Sequence, residues 1–532
     1  MKKLLLLGDE AFAQGALDAG ISGAYGYPGT PSTEIIEYIQ KNPLAVERNI
    51  HREWSTNEKT AVESALGMSY AGKRSIVTMK HVGLNVAADA FVNSAFTGAN
   101  GGILVTVADD PSMHSSQNEQ DSRFFAKFAL IPALEPSNQQ EAYEMAHYGL
   151  DFSEKYNLPV LVRFVTRLSH SRAGIERREV TDENTLKLPE DKAQFVLLPA
   201  ISRRKYKGLL AKQDDLEKES ENSPFNKYID AKDKSMGIIA CGLAYNYLME
   251  NYQDKECPYP ILKISQYPLP RKMIEKISTE CDTLLVLEDG APVVEEMLKG
   301  YLACGLKIKG RLDGSLPRDG ELNPNIVAKA LGFKENELLN IPEVVTPRPP
   351  ALCVGCPHID SYKALNEALS TYEKGHVFSD IGCYTLGFLP PYQAINSCVD
   401  MGASITMAKG AADAGLYPSV AVIGDSTFTH SGMTGLLDCV LDKANVVIVI
   451  LDNYVAAMTG GQDSSAFGRI EQICLGLGVA REHIRSVVPL PKNHEEMVKV
   501  FREELAYNGV SVIVPKRECV QTLAKKNRSG RA

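Results

Sequence analysis

Two short turns carry the first chemistry that this chain could perform. Ser419-Val420-Ala421-Val422-Ile423 runs straight into Gly424-Asp425-Ser426, and the next apolar run, Val446 to Leu451, ends in Asp452-Asn453. The Asp425 carboxylate, the Asn453 amide oxygen and a backbone carbonyl just beyond are hard oxygen donors. With two diphosphate oxygens and a water they would complete the octahedron that Mg2+ demands. Read without further context, Gly-Asp and Asn also suit ordinary strand-to-helix turns for backbone reasons, so the short motif leaves both readings open. Glu58 is a second candidate, at the head of the small-residue stretch Glu58-Lys59-Thr60-Ala61-Val62-Glu63-Ser64-Ala65-Leu66-Gly67. An acid there is also favoured by the helix dipole alone. Glu63, five positions on, points elsewhere on a 3.6-residue helix and reads as a surface carboxylate. Cys353-Val354-Gly355-Cys356 is a third candidate, weak as a lone Cys-x-x-Cys.

The elements that must position these residues are legible as buried strands separated by helices. Leu4 to Leu7, Ser75 to Met79, Ile103 to Val107 and Pro159 to Val165 read as such strands in a first domain, 1–181, which implies a mainly parallel, doubly wound sheet. A charged stretch, 182–235, reads as a linker or a surface helical excursion. Gly237 to Ala240 and Leu284 to Leu287 open a smaller α/β domain, 236–345, and Pro347, Pro349 and Pro350 form a stiff connector. In the last domain, 346–532, the Asp425 and Asn453 turns fall at the carboxyl edge of one sheet, where open α/β sheets bind ligands. The fold class expected is therefore α/β, with two doubly wound domains flanking a smaller α/β domain.

Composition excludes several functions. A chain of 532 residues, 44% apolar and 23% charged, reads as a multidomain globular protein. The formal charge of −9 argues against a broad nucleic-acid surface, and the basic tail Lys525-Lys526-Asn527-Arg528 reads as a solvated terminus. No apolar run is long enough for a membrane helix and no signal peptide is evident, so a cytoplasmic location is expected. Eleven cysteines in such a chain point to thiols or metal ligands rather than disulfides.

Gly424-Asp425-Ser426 followed by Asp452-Asn453 resembles the thiamine-diphosphate signature, conventionally Gly-Asp-Gly and, about 30 residues on, Asn-Asn. Ser426 and Asp452 are departures. The resemblance makes Gly424, Asp425, Ser426 and Asn453 cofactor-binding residues, with Asp425, Asn453 and the Val455 carbonyl as Mg2+ ligands. It also makes Glu58 the acid that protonates the aminopyrimidine of a cofactor served by both large domains. Tyr27-Pro28-Gly29-Thr30-Pro31-Ser32 is similar to the loop by which 2-oxoacid:ferredoxin oxidoreductases hold substrate, which assigns Thr30 to substrate contact. Lys80-His81-Val82-Gly83-Leu84-Asn85 and Asp109 to Asp121 are more particular. On them the chain is identified as a member of the indolepyruvate branch of these enzymes. Pyruvate-type members hold the substrate carboxylate with an arginine where this chain has Asp109; His81 and His114 are the candidate catalytic residues of that neighbourhood.

By the same resemblance Cys353, Cys356, Cys383 and Cys519 would hold one [4Fe-4S] cluster, since soft, charged thiolates suit iron. The other seven cysteines, Cys241, Cys257, Cys281, Cys304, Cys398, Cys439 and Cys474, read as small buried hydrophobes. The resemblance implies oxidative decarboxylation of an aryl 2-oxoacid to acyl-coenzyme A. A non-redox thiamine-diphosphate-dependent 2-oxoacid decarboxylase is the alternative. Family members usually continue into a cysteine-rich ferredoxin-like tail that this sequence lacks. Electrons are therefore expected to leave through ferredoxin or a smaller partner subunit, and the catalytic chain is expected to form a dimer.

Overall fold

Runs of Val, Ile and Leu closed by Gly, Asp or Lys form central strands, because a strand covered on both faces needs apolar residues at every position. The computed structural model describes residues 3–191, 193–253, 255–300, 305–335, 340–346, 350–372 and 376–528, in two units, 1–339 and 340–532. Pro347, Pro349 and Cys304 lie outside the described residues.

The first unit begins with β1 (Lys3–Leu7) and α1 (Gly8–Asp18). Its main sheet then takes β2 (Gly23–Gly26), β3 (Ser75–Lys80), β4 (Ile103–Asp109), β5 (Ala133–Leu134) and β6 (Val160–Val165), in the order β5-β6-β4-β3-β2 and all parallel. Helices α2 (Glu58–Tyr70) and α3 (His81–Thr97) flank β3 in sequence. β3, β4 and β6 are buried along their whole lengths.

The Leu4 to Leu7 run is a correction. It pairs antiparallel with β7 (Arg172–Glu176) in a separate two-stranded ribbon, and Leu5 is 69% exposed. Alternation of the two faces of an edge ribbon, rather than burial on both, explains the solvent-facing leucine.

The stretch 182–235 carries two helices, α4 (Pro199–Ala211) and α5 (Gln213–Glu221), and then β8 (Lys227–Ile229). The smaller sheet continues with β9 (Gly237–Cys241) and β10 (Ile261–Ile264). After β11 (Gln266–Tyr267), which pairs with β5 of the main sheet, it is completed by β12 (Thr283–Leu287) and β13 (Lys307–Lys309). Its order is β13-β12-β9-β10-β8, with β8 as an antiparallel edge. This sheet and the main sheet thus belong to one unit, stitched by β11.

The second unit is a parallel sheet of β14 (His376–Ser379), β15 (Ser397–Cys398), β16 (Ser419–Gly424), β17 (Val446–Leu451), β20 (Ile484–Val487) and β21 (Val510–Pro515), the last two following the small hairpin β18 (Val455–Ala456) and β19 (Gln462–Asp463). Its order is β15-β14-β16-β17-β21-β20. Ile423 lies opposite Ile450 and Gly424 opposite Leu451, so both candidate turns leave the same carboxyl edge from neighbouring strands. Of the seven cysteines expected to be small buried hydrophobes, Cys398 is exposed and Cys257 half-buried. Cys398 ends the short edge strand β15, which has a neighbour on one side only. Among the described residues no helix is long and apolar enough to cross a membrane.

Candidate functional site

In the second unit the end of β16 buries a carboxylate in an unusual setting. Asp425 is 3% exposed; its Oδ1 accepts from the Ser426 N–H at 2.7 Å, while its Oδ2 is buried without a hydrogen-bond partner among the described residues. Burial first, and then the charge of Asp452 at the end of β17, push the Asp425 carboxyl far above the usual carboxylate range. Two buried carboxylates side by side repel unless a proton or a cation separates them. The Asn453 Oδ1 accepts from the Val455 N–H at 3.2 Å and its Nδ2 lies 3.4 Å from the buried His358 Nε2, which fixes the amide at this edge. The Ser426 hydroxyl is likewise buried and without a partner among the described residues. An orphaned carboxylate oxygen, a second carboxylate and a fixed amide are a donor set that fits Mg2+ and a diphosphate.

Gly424 is required here for room rather than for backbone freedom. A Cβ on it would lie 2.6 Å from the ring of Tyr384, whose hydroxyl donates to Asp380. Asp380 also accepts from the Ser404 hydroxyl at 2.6 Å, and burial raises its pKa to about 7.

Four cysteines from three segments share this unit. Cys353 and Cys356 precede α6 (Pro357–Leu369), Cys383 follows β14, and Cys519 follows β21, its N–H donating to the Asn453 carbonyl at 3.2 Å. All are unbridged. Burial, and then the neighbouring Cys356, Cys519 and Cys353, push the Cys383 thiol up to about 12. Burial and then Cys353 and Cys519, the local His358 N–H opposing, take Cys356 to about 11. Thiols that raise one another's pKa form a cluster of potential negative charge that a cationic inorganic core would neutralise. Among the described residues no three His, Cys, Asp or Glu side chains converge as ligands of a single metal ion.

In the first unit Glu58 is buried, 6% exposed, at the first turn of α2, where the Asn57 side chain caps by accepting from the Thr60 N–H at 2.9 Å. A Cβ on Gly83 would meet the Glu58 Cγ and Oε1 at 2.6 Å, so the carboxylate rests on the first turn of α3, on its positive dipole end. Glu63 is exposed and paired with Lys59.

His81 is 1% exposed, with Nε2 3.3 Å from the Asn118 Oδ1, and burial, then Lys80, lower its pKa. Thr30 lies beside the same loop: its carbonyl accepts from the Ser115 hydroxyl at 3.3 Å. His114 is different. Its side chain is 51% exposed and lies 3.5 Å from Glu321.

Asp109 is also explained. Its Oδ2 accepts from the Arg163 Nε at 2.6 Å and from the Ser122 N–H at 3.0 Å, and the fully buried Arg163 reaches Asp121 at 3.2 Å and Glu135 as well. A guanidinium enclosed by three carboxylates is structural. Arg163→Met is expected to lower unfolding stability by about 3–5 kcal/mol, because it strands buried carboxylates; a urea midpoint unchanged from wild type would sink that account.

Five participants go beyond the sequence reading. Lys80 stood inside a quoted motif, yet a charged residue closing an otherwise apolar strand is itself a signal. Asp452 reads in sequence only as a departure, although two acids on adjacent strand ends predict mutual repulsion. The Asp380, Tyr384 and Ser404 support of Gly424 carries no local signal, since it depends on packing between distant segments.

Residues 380–514 match the family described as thiamine pyrophosphate enzyme, C-terminal TPP binding domain, and residues 14–217 match pyruvate flavodoxin/ferredoxin oxidoreductase, thiamine diphosphate-binding. The chain is 38% identical to indolepyruvate oxidoreductase subunit IorA of Archaeoglobus fulgidus, over 99% of this chain and 88% of that one. It is 39% identical to the Methanothermobacter marburgensis protein of that name, over 97% and 87%. A solved 2-oxoglutarate:ferredoxin oxidoreductase from Magnetococcus marinus is similar in fold, with a TM-score of 0.52 at 16% identity, covering 62% of this chain and 65% of that one.

Proposed function

This chain belongs to the indolepyruvate oxidoreductase subunit family of the thiamine-diphosphate-dependent 2-oxoacid:ferredoxin oxidoreductases, and on that premise we propose that it oxidatively decarboxylates an aryl 2-oxoacid of the indolepyruvate or phenylpyruvate type to acyl-coenzyme A. Cys353, Cys356, Cys383 and Cys519 would hold one [4Fe-4S] cluster, which would supply the one-electron route to ferredoxin or a partner subunit. The observation that supports the redox reading is that Cys353, Cys356, Cys383 and Cys519, unbridged and from three separated stretches of one unit, lie near enough for their charges to act on one another. A non-redox decarboxylase has no use for such a set.

Thiamine diphosphate, when bound, supplies the nucleophilic carbon and the electron sink for decarboxylation. Asp425, Asn453 and the Val455 carbonyl would hold Mg2+, and the Gly424-Asp425-Ser426 turn would offer its N–H groups to the diphosphate. Glu58, buried against Gly83, would hold the proton on the aminopyrimidine nitrogen. Thr30 orients the 2-oxoacid and His81, kept neutral by burial, offers a ring nitrogen beside it. His114, exposed and close to Glu321, is assigned no step. A smaller subunit completes the enzyme, and the working form is a dimer of the catalytic chains.

The test is anaerobic purification with the small subunit, then iron and acid-labile sulfide analysis and visible spectra with indolepyruvate, thiamine diphosphate and coenzyme A. About four irons per chain, bleached by substrate, are expected. Cys383→Ser should remove the bleaching. Release of aldehyde by an iron-free protein would transfer the chain to the decarboxylase alternative.

A further inference from the structure

Lys80 is the last residue of β3 and immediately precedes α3. It is 9% exposed, and its Nζ donates to the Ser115 carbonyl at 2.6 Å. No carboxylate pairs with it among the described residues. Asp110 is the nearest acid to act on it, but that carboxylate is occupied by neutral donors: the Ser115 N–H at 2.8 Å, the Ser116 hydroxyl at 2.5 Å and the Thr166 hydroxyl at 2.6 Å. An ammonium has three donors, and burying it without a hydrogen-bonded counter-ion is costly. The cost is raised by its place at the amino end of a seventeen-residue helix, whose dipole disfavours a cation. Burial accordingly brings its pKa down to about 8. A fold retains such a charge where an anion is to be received.

Its surroundings indicate which anion. A Cβ on Gly29 would lie 3.1 Å from the Lys80 Cβ, so the lysine stem packs on the Thr30 loop. Ser115 bonds both the Lys80 ammonium and the Thr30 carbonyl. Two residues beyond His81, Gly83 carries Glu58. One cation next to the acidic Asp110 suits a monoanion; a phosphate dianion would need further cations. We propose that Lys80 is the specificity-determining residue that receives the substrate carboxylate at the Thr30 loop. The proposal rests on the 2-oxoacid reading above. The rival role is mechanical, a clamp that holds the exposed 112–118 loop through the Ser115 carbonyl.

The test uses the assembled complex with thiamine diphosphate and Mg2+. Lys80→Met should raise the KM for phenylpyruvate at least about thirtyfold, as loss of one partner of a buried charge pair does, with kcat changed less than about threefold. Lys80→Arg should recover most of the affinity, and the thermal midpoint of Lys80→Met should equal or exceed that of wild type. A mechanical clamp requires the reverse: a lowered midpoint and no selective loss for the anion. Calorimetry with 3-phenylpropanoate, and its neutral amide as control, reads the site without turnover. Binding of the acid should be lost in Lys80→Met while that of the amide is kept. A measurement independent of any variant is protection of wild-type Lys80 from acylation by 3-phenylpropanoate, followed by mass spectrometry; equal acylation with and without the acid overturns the proposal, as does an unchanged KM in Lys80→Met. If the complex oxidises no 2-oxoacid yet the acid still binds and protects Lys80, the reaction assignment falls and the carboxylate site stands.

Discussion

Glu58→Gln in the assembled enzyme is expected to cut kcat for aryl 2-oxoacid oxidation by about 10³-fold, within the range that loss of a positioned proton-transfer group produces. The substitution keeps the shape of the side chain and its packing on Gly83, so unfolding stability should stay within about 1 kcal/mol of wild type. Glutamine retains a hydrogen-bonding oxygen but cannot exchange a proton with the aminopyrimidine, so the loss belongs to chemistry rather than to binding. Thiamine-diphosphate affinity, read by calorimetry, should change far less than kcat. Glu63→Gln is the matched control: its side chain is exposed and paired with Lys59 on the same helix, and it should leave both kinetics and stability as they are. Full turnover in Glu58→Gln would remove Glu58 from the mechanism.

The contrast between Glu58 and Glu63 shows how far the sequence carries such an argument. Helical periodicity places the two acids on different faces, and the small residues Ala61 and Ala65 mark the face that packs closely. That Glu58 lies against the backbone of Gly83 is invisible locally, because it depends on how α2 and α3 pack around β3. The same division holds for strands. β16 and β17, apolar apart from Ser419 and buried throughout, announce themselves as central strands, and their turns as one carboxyl edge. The Leu4 to Leu7 run has the same composition but lies in a two-stranded ribbon, since hydrophobicity alone does not distinguish a central from an edge strand. The charged stretch after 182, read as a linker or surface helical excursion, carries two helices. Helices α4 and α5 are largely solvent-facing, so charge marks exposure and says little about order. Asp109 is legible as a departure from an arginine, but its reason, the buried Arg163 on the neighbouring strand β6, is purely tertiary.

Asp425→Asn separates the binding role of the β16 turn from its structural role, because the two move in opposite directions. Supporting partners of a metal site cost 10–100-fold in affinity when removed, so loss of a direct anionic ligand should weaken Mg2+-dependent thiamine-diphosphate binding by at least about 100-fold. Turnover at ordinary cofactor concentrations should fall accordingly. The unliganded protein should behave otherwise. In the folded state Asp425 is driven toward its protonated form by burial and by Asp452, so between the ordinary carboxylate range and neutral pH the native state holds a proton that the unfolded chain releases. Stability of the cofactor-free wild type therefore declines as pH rises through that window. Asparagine carries no titrating proton and removes the repulsion with Asp452, so the variant should lose part of this decline and be the more stable of the two at neutral pH and above. Urea midpoints across pH, with and without thiamine diphosphate and Mg2+, read both effects. A variant that binds cofactor normally, or that is destabilised in its absence, would show that the carboxylate at 425 serves the turn and not a cation.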